Sequence, residues 1–164
     1  DGGDYNKDLI GMIVITTGTY YNLDKTNKPS INDSLPIVTL SSSIKDKKVF
    51  VVISDIEDSS NYRRTNTVNF VSLYEKNDET DRVFINSLGE GAMWICNEGS
   101  NSLDIGDYVC SSSYQGYGMK QDDDLLHNYT VAKTTQSVDF SNSESITLPN
   151  GIKAQFVGVT YHCA

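Results

Sequence analysis

The stretch Pro149-Asn150-Gly151-Ile152-Lys153-Ala154-Gln155-Phe156-Val157-Gly158-Val159-Thr160-Tyr161 decides the fold. Asn-Gly is a strong hairpin-turn signal because both residues tolerate φ > 0. The run Gln155 to Tyr161 behind it is built of β-branched and aromatic residues that suit a pleated surface. The same punctuation recurs upstream: Gly11 to Thr17, Val49 to Ser54, Thr67 to Tyr74, Arg82 to Asn86, Ala92 to Asn97, Asp107 to Ser111 and Tyr129 to Thr134 read as strands. Between them stand turn-forming clusters such as Asn22-Leu23-Asp24, Asp58-Ser59-Ser60-Asn61, Asn77-Asp78 and Asn97-Glu98-Gly99-Ser100-Asn101. No segment keeps apolar spacing at i, i+3, i+4, i+7 for three turns; Asp123 to Lys133 is the one place where a short helix, capped by its acidic start, is expected. About eight or nine strands without a linker describe one all-β domain over residues 1–164, a sandwich or jelly roll. The run Val49-Phe50-Val51-Val52-Ile53 is apolar on both faces, so its second face lies under a loop or against another subunit.

The chain carries 13 Lys and Arg against 22 Asp and Glu, a formal charge of -9, which argues against nucleic acid as a partner. The longest apolar run falls far short of the roughly 18 residues that mark a membrane-spanning helix. The first residue is Asp1 and no secretory leader follows it, so a cleavage product or an expressed fragment is expected. Cys96, Cys110 and Cys163 are odd in number and lack C-x-x-C spacing, which points to buried thiols in a reducing compartment.

Familiar catalytic signatures are missing. There is no G-x-S-x-G elbow, no Gly-Lys for a P-loop, and Gly116-Tyr117-Gly118 lacks the third glycine of a dinucleotide fingerprint. Asp122-Asp123-Asp124 is an acidic turn rather than a metal cluster, so no metal is expected. Trp94 is expected in the core and His162 as a hydrogen-bonded structural histidine. Carboxylates flanked by glycine remain: Asp1-Gly2-Gly3-Asp4, and Gly89-Glu90-Gly91 with Gln121-Asp122 farther along. Glycine lets a backbone approach closely, and two carboxyl groups with divergent pKa values can activate water and protonate a leaving nitrogen.

Three tracts are distinctive: Asn86-Ser87-Leu88-Gly89-Glu90-Gly91-Ala92-Met93-Trp94; Gly106-Asp107-Tyr108-Val109-Cys110-Ser111-Ser112; and Gly116-Tyr117-Gly118 through Lys120-Gln121-Asp122-Asp123-Asp124 to Val131-Ala132-Lys133. They resemble the C-terminal, self-cleaving intramolecular chaperone domain of pre-neck appendage (tail spike) proteins of small Bacillus phages. Related segments end proteins of some large eukaryotic viruses. The likeness is strong over a little more than a third of the chain and looser over the first 75 residues.

The resemblance implies a homotrimeric jelly roll like that of tumour necrosis factor, which aligns three spike chains and then removes itself by cutting the bond just before Asp1. It implies ATP-associated release, action in the host cytoplasm during assembly, and absence from the mature virion. A single-turnover, carboxylate-type peptidase would draw on Asp1, Asp4, Glu90, Gln121 and Asp122, with residues of one subunit completing the site on its neighbour. Phosphate partners for ATP would be Arg63, Arg64 and Lys120, with Tyr62 or Tyr117 stacking on adenine. Related auto-cleaving domains place a Glu soon after an Asp-Tyr pair, whereas Asp4-Tyr5 is followed here by Asn6-Lys7-Asp8. The alternative is a trimeric knob that stays on a viral fibre and binds a receptor or glycan through its ten tyrosines. A secreted trimeric ligand is disfavoured by the missing leader and the odd cysteine.

Overall fold

The computed structural model describes residues 9–21, 28–31, 35–57 and 82–162 in full, and the backbone of 62–67 and 70–75. Asp1 and Asp4, the turns expected at 22–24, 58–61 and 77–78, and Cys163 lie outside these residues.

Among the described residues fourteen strands follow one another: β1 (Ile13–Tyr21), β2 (Leu35–Leu40), β3 (Val49–Ile56), β4 (Tyr62–Thr67), β5 (Phe70–Glu75), β6 (Val83–Asn86), β7 (Gly89–Cys96), β8 (Ser102–Leu103), β9 (Tyr108–Ser111), β10 (Gly118–Lys120), β11 (Thr130–Thr134), β12 (Val138–Asp139), β13 (Ile146–Thr147) and β14 (Lys153–Tyr161). The protein is all-β. One sheet runs β2-β1-β3-β6. A second runs β11-β9-β10-β7-β14-β13, and β11 also pairs with β14, so five strands close into a ring and lose their open edges. β10 runs parallel to β7, and the other pairs of the ring are antiparallel.

Alternation along the ring strands makes an inner and an outer face. Met93 and Ile95 of β7, Val109 of β9, Val131 of β11, and Val157 and Val159 of β14 point inward. There they meet Ile13, Val51 and Val52 of the four-stranded sheet, with Leu103, Val138 and Phe140 closing one side. Each of these fully buried aliphatic or aromatic side chains contributes about 1.5–3 kcal/mol. Gly118 is required where β10 crosses this core: a Cβ there would lie 2.7 Å from Val109 Cγ1 and 2.9 Å from Met93 Cε.

Val51 has φ +68°, a left-handed conformation unusual for a β-branched residue. It sits where Ile13 pairs with Val52 and Ile15 with Val49, so β3 carries one residue more than β1 across that interval. The bulge turns Val51 inward beside Val52, and Val51, Val52 and Ile53 are all buried within the one chain. Of the two-faced apolar run, Val51, Val52 and Ile53 are thus covered within the chain, while Val49 and Phe50 stay half-buried.

The expected hairpin at Asn150-Gly151 is present: Thr147 pairs with Lys153, Gly151 N–H donates to Leu148 O, and Gly151 has φ +86°. The strand expected over Thr67 to Tyr74 is instead split between β4 and β5, which pair with Thr67 opposite Phe70. Its β-branched residues continued across a reversal that only the pairing reveals. The helix expected over Asp123 to Lys133 is absent. Asp123 Oδ1 accepts the N–H of Leu125, and Thr130 Oγ1 accepts that of His127, so local side-chain bonds hold a loop before β11 begins. Trp94 is outside the main core: half-buried, it packs against a second apolar cluster that includes Cys96, Cys110, Met119 and Ala154, 5.3 Å from Phe156 and 6.3 Å from Tyr117, centroid to centroid.

Candidate functional site

Three of the residues singled out from the sequence converge. Lys120 ends β10 and passes the chain to Gln121 and Asp122, which line a groove of about 490 Å³. Ile44 and Met119 form its apolar wall, and Lys45 faces Asp122 across it. The Lys45 Nζ donates to Asp122 Oδ2 at 2.7 Å, and this bond holds the Lys45 ammonium above its ordinary pKa. Lys120 Nζ lies 3.5 Å from Asp107 Oδ2. Both ammonium groups of the groove thus already face a carboxylate.

Gln121 does not present its amide to a ligand. It is 2% exposed; its Oε1 accepts from Thr130 Oγ1 at 2.6 Å, and its Nε2 donates to Leu125 O at 2.6 Å and Asp123 Oδ1 at 2.7 Å. With both ends used, Gln121 is a positioning residue that fixes the loop carrying Asp122. Asp123 is bound from a third side by His127, whose Nε2 lies 2.9 Å from Oδ2. An ionised carboxylate only accepts, so Nε2 carries the proton. The His127 bond comes first among the contacts that hold the Asp123 carboxyl below its usual pKa, ahead of the Leu125 and Gln121 bonds. The His127 ring stacks on Tyr129 at 4.6 Å, and Lys45 stands 5.8 Å over the same Tyr129 ring.

Glu90 is elsewhere. Gly118 of β10 pairs in parallel with Ile95 of β7. Round the other side of the ring Glu90 pairs with Thr160, Thr160 with Lys133 and Lys133 with Tyr108, whose carbonyl accepts the Gln121 N–H, so four strand spacings of about 4.8 Å, at most about 20 Å, separate Glu90 from Gln121. Glu90 pairs with Thr160 on an exposed stretch of β7. The neighbouring Gly91 makes room for Tyr161, since a Cβ there would sit 2.5 Å from the tyrosine oxygen. Tyr161 Oη uses that space to donate to Ala92 O at 2.6 Å. This glycine therefore serves packing inside the chain.

The segment entering the domain meets the ring between these two places, because Trp94 N–H donates to Gly11 O. Along the strands, Trp94 is about 13 Å from Glu90 and about 13 Å from the level of Gln121. Asp4, seven residues upstream of Gly11, reaches at most about 25 Å. Either carboxylate is within its reach.

The expected nucleotide residues are divided between the ring and a separate ribbon. Tyr117 turns its ring edge-on to Trp94 on the outer face, where burial raises its phenol pKa, and Lys120 is paired with Asp107. Tyr62, Arg63 and Arg64 lie on β4, in the two-stranded ribbon β4-β5. Among the described residues no group of three or more His, Cys, Asp or Glu side chains could hold a metal ion.

Cys96 and Cys110 are buried free thiols, and burial raises both pKa values, that of Cys110 to about 12. His162 donates its main-chain N–H to Val131 O and sets its ring edge-on to Tyr108 at 5.8 Å, with Nε2 buried and without a hydrogen-bond partner. Lys45, Asp123, His127 and Thr130 escaped the sequence reading as site residues. Asp123 and His127 carry a weak signal in their four-residue spacing, whereas Lys45 lies 77 residues from Asp122.

Comparison of the chain with protein-family models, curated proteins and solved structures returned no match.

Proposed function

We propose that this domain is an intramolecular chaperone that trimerises a viral tail spike and removes itself by hydrolysing the bond just before Asp1. The observation that supports the reading is that the Gly11 anchor on Trp94 brings the chain leading back to Asp1 within reach of both Glu90 and Asp122. Completing the site with a carboxylate of a neighbouring chain would make cutting wait for assembly. In that site one carboxylate takes a proton from water as its oxygen bonds to the carbonyl carbon, and a carboxyl group protonates the departing nitrogen of Asp1. The C–N bond breaks, leaving a new carboxyl group on the spike and a new amine on Asp1. Asp4 is the carboxylate nearest the bond in sequence, Glu90 and Asp122 are supplied by the domain body, and Gln121 holds Asp122 in place.

The proposed architecture is a jelly roll of the tumour necrosis factor type, with the four-stranded sheet and the strand ring as its two layers. Trimerising first lets three long spike chains find their register as if within one molecule. The cleaved domain would leave in the host cytoplasm and be absent from the finished particle. ATP enters this reading as a release factor, with Arg63, Arg64 and Lys120 as its phosphate partners and Tyr62 or Tyr117 against adenine. Calorimetry with ATP should show binding that the Arg63→Ala, Arg64→Ala double variant weakens, and unchanged affinity would remove those residues.

The test is expression with upstream sequence attached, followed by intact mass and light scattering on one sample. A fragment starting at Asp1 should appear as trimers form, and Asp4→Asn should slow its appearance. A stable trimer that never cuts would favour the receptor- or glycan-binding fibre knob, and full-speed cutting by Asp4→Asn would exclude that residue.

A further inference from the structure

We propose that Asn150 is a covalent modification site gated by the fold: its side chain loses ammonia to the Gly151 main-chain nitrogen when the turn joining β13 to β14 opens, and is held back while that turn is closed.

Asn150-Gly151 is the one Asn-Gly step in the chain, and both residues are exposed. Glycine has no Cβ to obstruct the approach of its nitrogen to the preceding side chain. The Gly151 nitrogen gives up its proton and bonds to Asn150 Cγ. The Cγ–Nδ2 bond breaks, and Nδ2 takes a proton and leaves as ammonia. The product is a five-membered succinimide. Water then opens it at either carbonyl, leaving aspartate, or isoaspartate with the main chain routed through the side-chain carbon. Water is the one co-reactant.

The closed turn opposes the first step twice. The proton that must leave is in use, because Gly151 N–H donates to Leu148 O at 2.9 Å. The carboxamide is tied as well, its Oδ1 accepting the Ile152 N–H at 3.2 Å. Leu148 N–H donates to Ile152 O at 2.7 Å and Gly151 has φ +86°, so Pro149-Asn150-Gly151 is a three-residue hairpin loop. The type I turn of such a loop gives Asn150 a ψ of about 0°. The succinimide ring contains the Asn150 Cα–C bond, so closing it turns ψ well away from that value and pulls Gly151 N from Leu148 O. Pro149 stiffens the turn by fixing φ at its second residue. Asn97 anchors it: its Oδ1 accepts the Lys153 N–H at 3.1 Å, and its N–H donates to Lys153 O at 2.9 Å.

Tryptic peptide mapping over time at neutral pH, resolving asparagine, aspartate and isoaspartate at position 150, tests this. The folded chain should react about tenfold or more slowly than the same chain unfolded in urea, the ratio being set by the free energy of opening the turn. Hydrogen exchange at the Gly151 amide should be slowed by a comparable factor. Pro149→Gly frees the turn and Asn97→Ala its anchor without altering either reacting group. Each should raise the folded rate several-fold relative to its own unfolded rate, with an unchanged circular dichroism spectrum. A folded rate equal to the unfolded one would overturn the gating. A slow folded rate that neither variant raises would overturn the turn as the gate.

Discussion

Replacing Gln121 distinguishes a brace from a participant in chemistry. In Gln121→Ala, Leu125 O can turn to water, but Thr130 is 1% exposed and its hydroxyl loses its acceptor in a dry place. Leaving one buried polar group unpaired costs about 1–3 kcal/mol. With the lost bond to the Asp123 carboxylate, the expected destabilisation is about 2–3 kcal/mol. At a urea m-value of about 2 kcal/mol/M, the midpoint should fall by about 1–1.5 M, measured at fixed protein concentration so that assembly does not contribute. Thr130→Ala should add less than its cost alone, because the two changes share one bond, and what it adds is the lost acceptor of the His127 N–H.

Gln121→Glu supplies the sign. Its carboxylate would face the Asp123 carboxylate and the Leu125 carbonyl, both acceptors, inside a buried site, so its folded pKa rises above the unfolded value of about 4.3. The stability of this variant is fully present below that unfolded value, where the protonated acid can still donate to Asp123, and is lost as pH rises through the folded pKa. Each unit of upward shift removes about 1.4 kcal/mol at neutral pH. Urea titrations from pH 4 to 8 should show Gln121→Glu approaching the wild type at the acid end and diverging above it. A midpoint unchanged in Gln121→Ala, coupled with lost cleavage, would refute the bracing role and return Gln121 to the chemistry.

Gly118→Ala should overpack the core against Val109 and Met93 and cost about 1–3 kcal/mol, and a midpoint equal to wild type would mean that β10 can shift. At Val51 the usual strand order should invert: Val51→Gly should be more stable than Val51→Ala by about 1 kcal/mol, because alanine keeps the left-handed penalty that glycine avoids. The opposite order in thermal melts would place Val51 at ordinary φ. Cys96 and Cys110 should resist a water-soluble disulfide reagent at pH 8 in the folded protein and react on unfolding, since burial holds both as thiols. Fast modification of either in native conditions would contradict that burial.

Strand content was legible in the sequence because β-branched runs and turn residues act locally. The Asn150-Gly151 hairpin, the run Gln155 to Tyr161 and the buried thiols at 96 and 110 could be read without partners. The helix over Asp123 to Lys133 could not be excluded that way. Its residues allow one, and the bonds that prevent it come from side chains whose directions depend on Gln121 being buried. Trp94 was misplaced for a related reason: a large aromatic in a strand signals burial, but which face turns inward is set by pairing with β14 and by Gly11.

The sequence by itself determined an acidic, all-β chain, since charge sums over residues and strand preference is short-range. Only the tertiary structure decided that five strands close into a ring, that Lys45 meets Asp122 from 77 residues away, and that four strand spacings part Glu90 from Gln121 round that ring. These depend on strand order and register, which arise from burying one common core and leave no mark in any single stretch of chain.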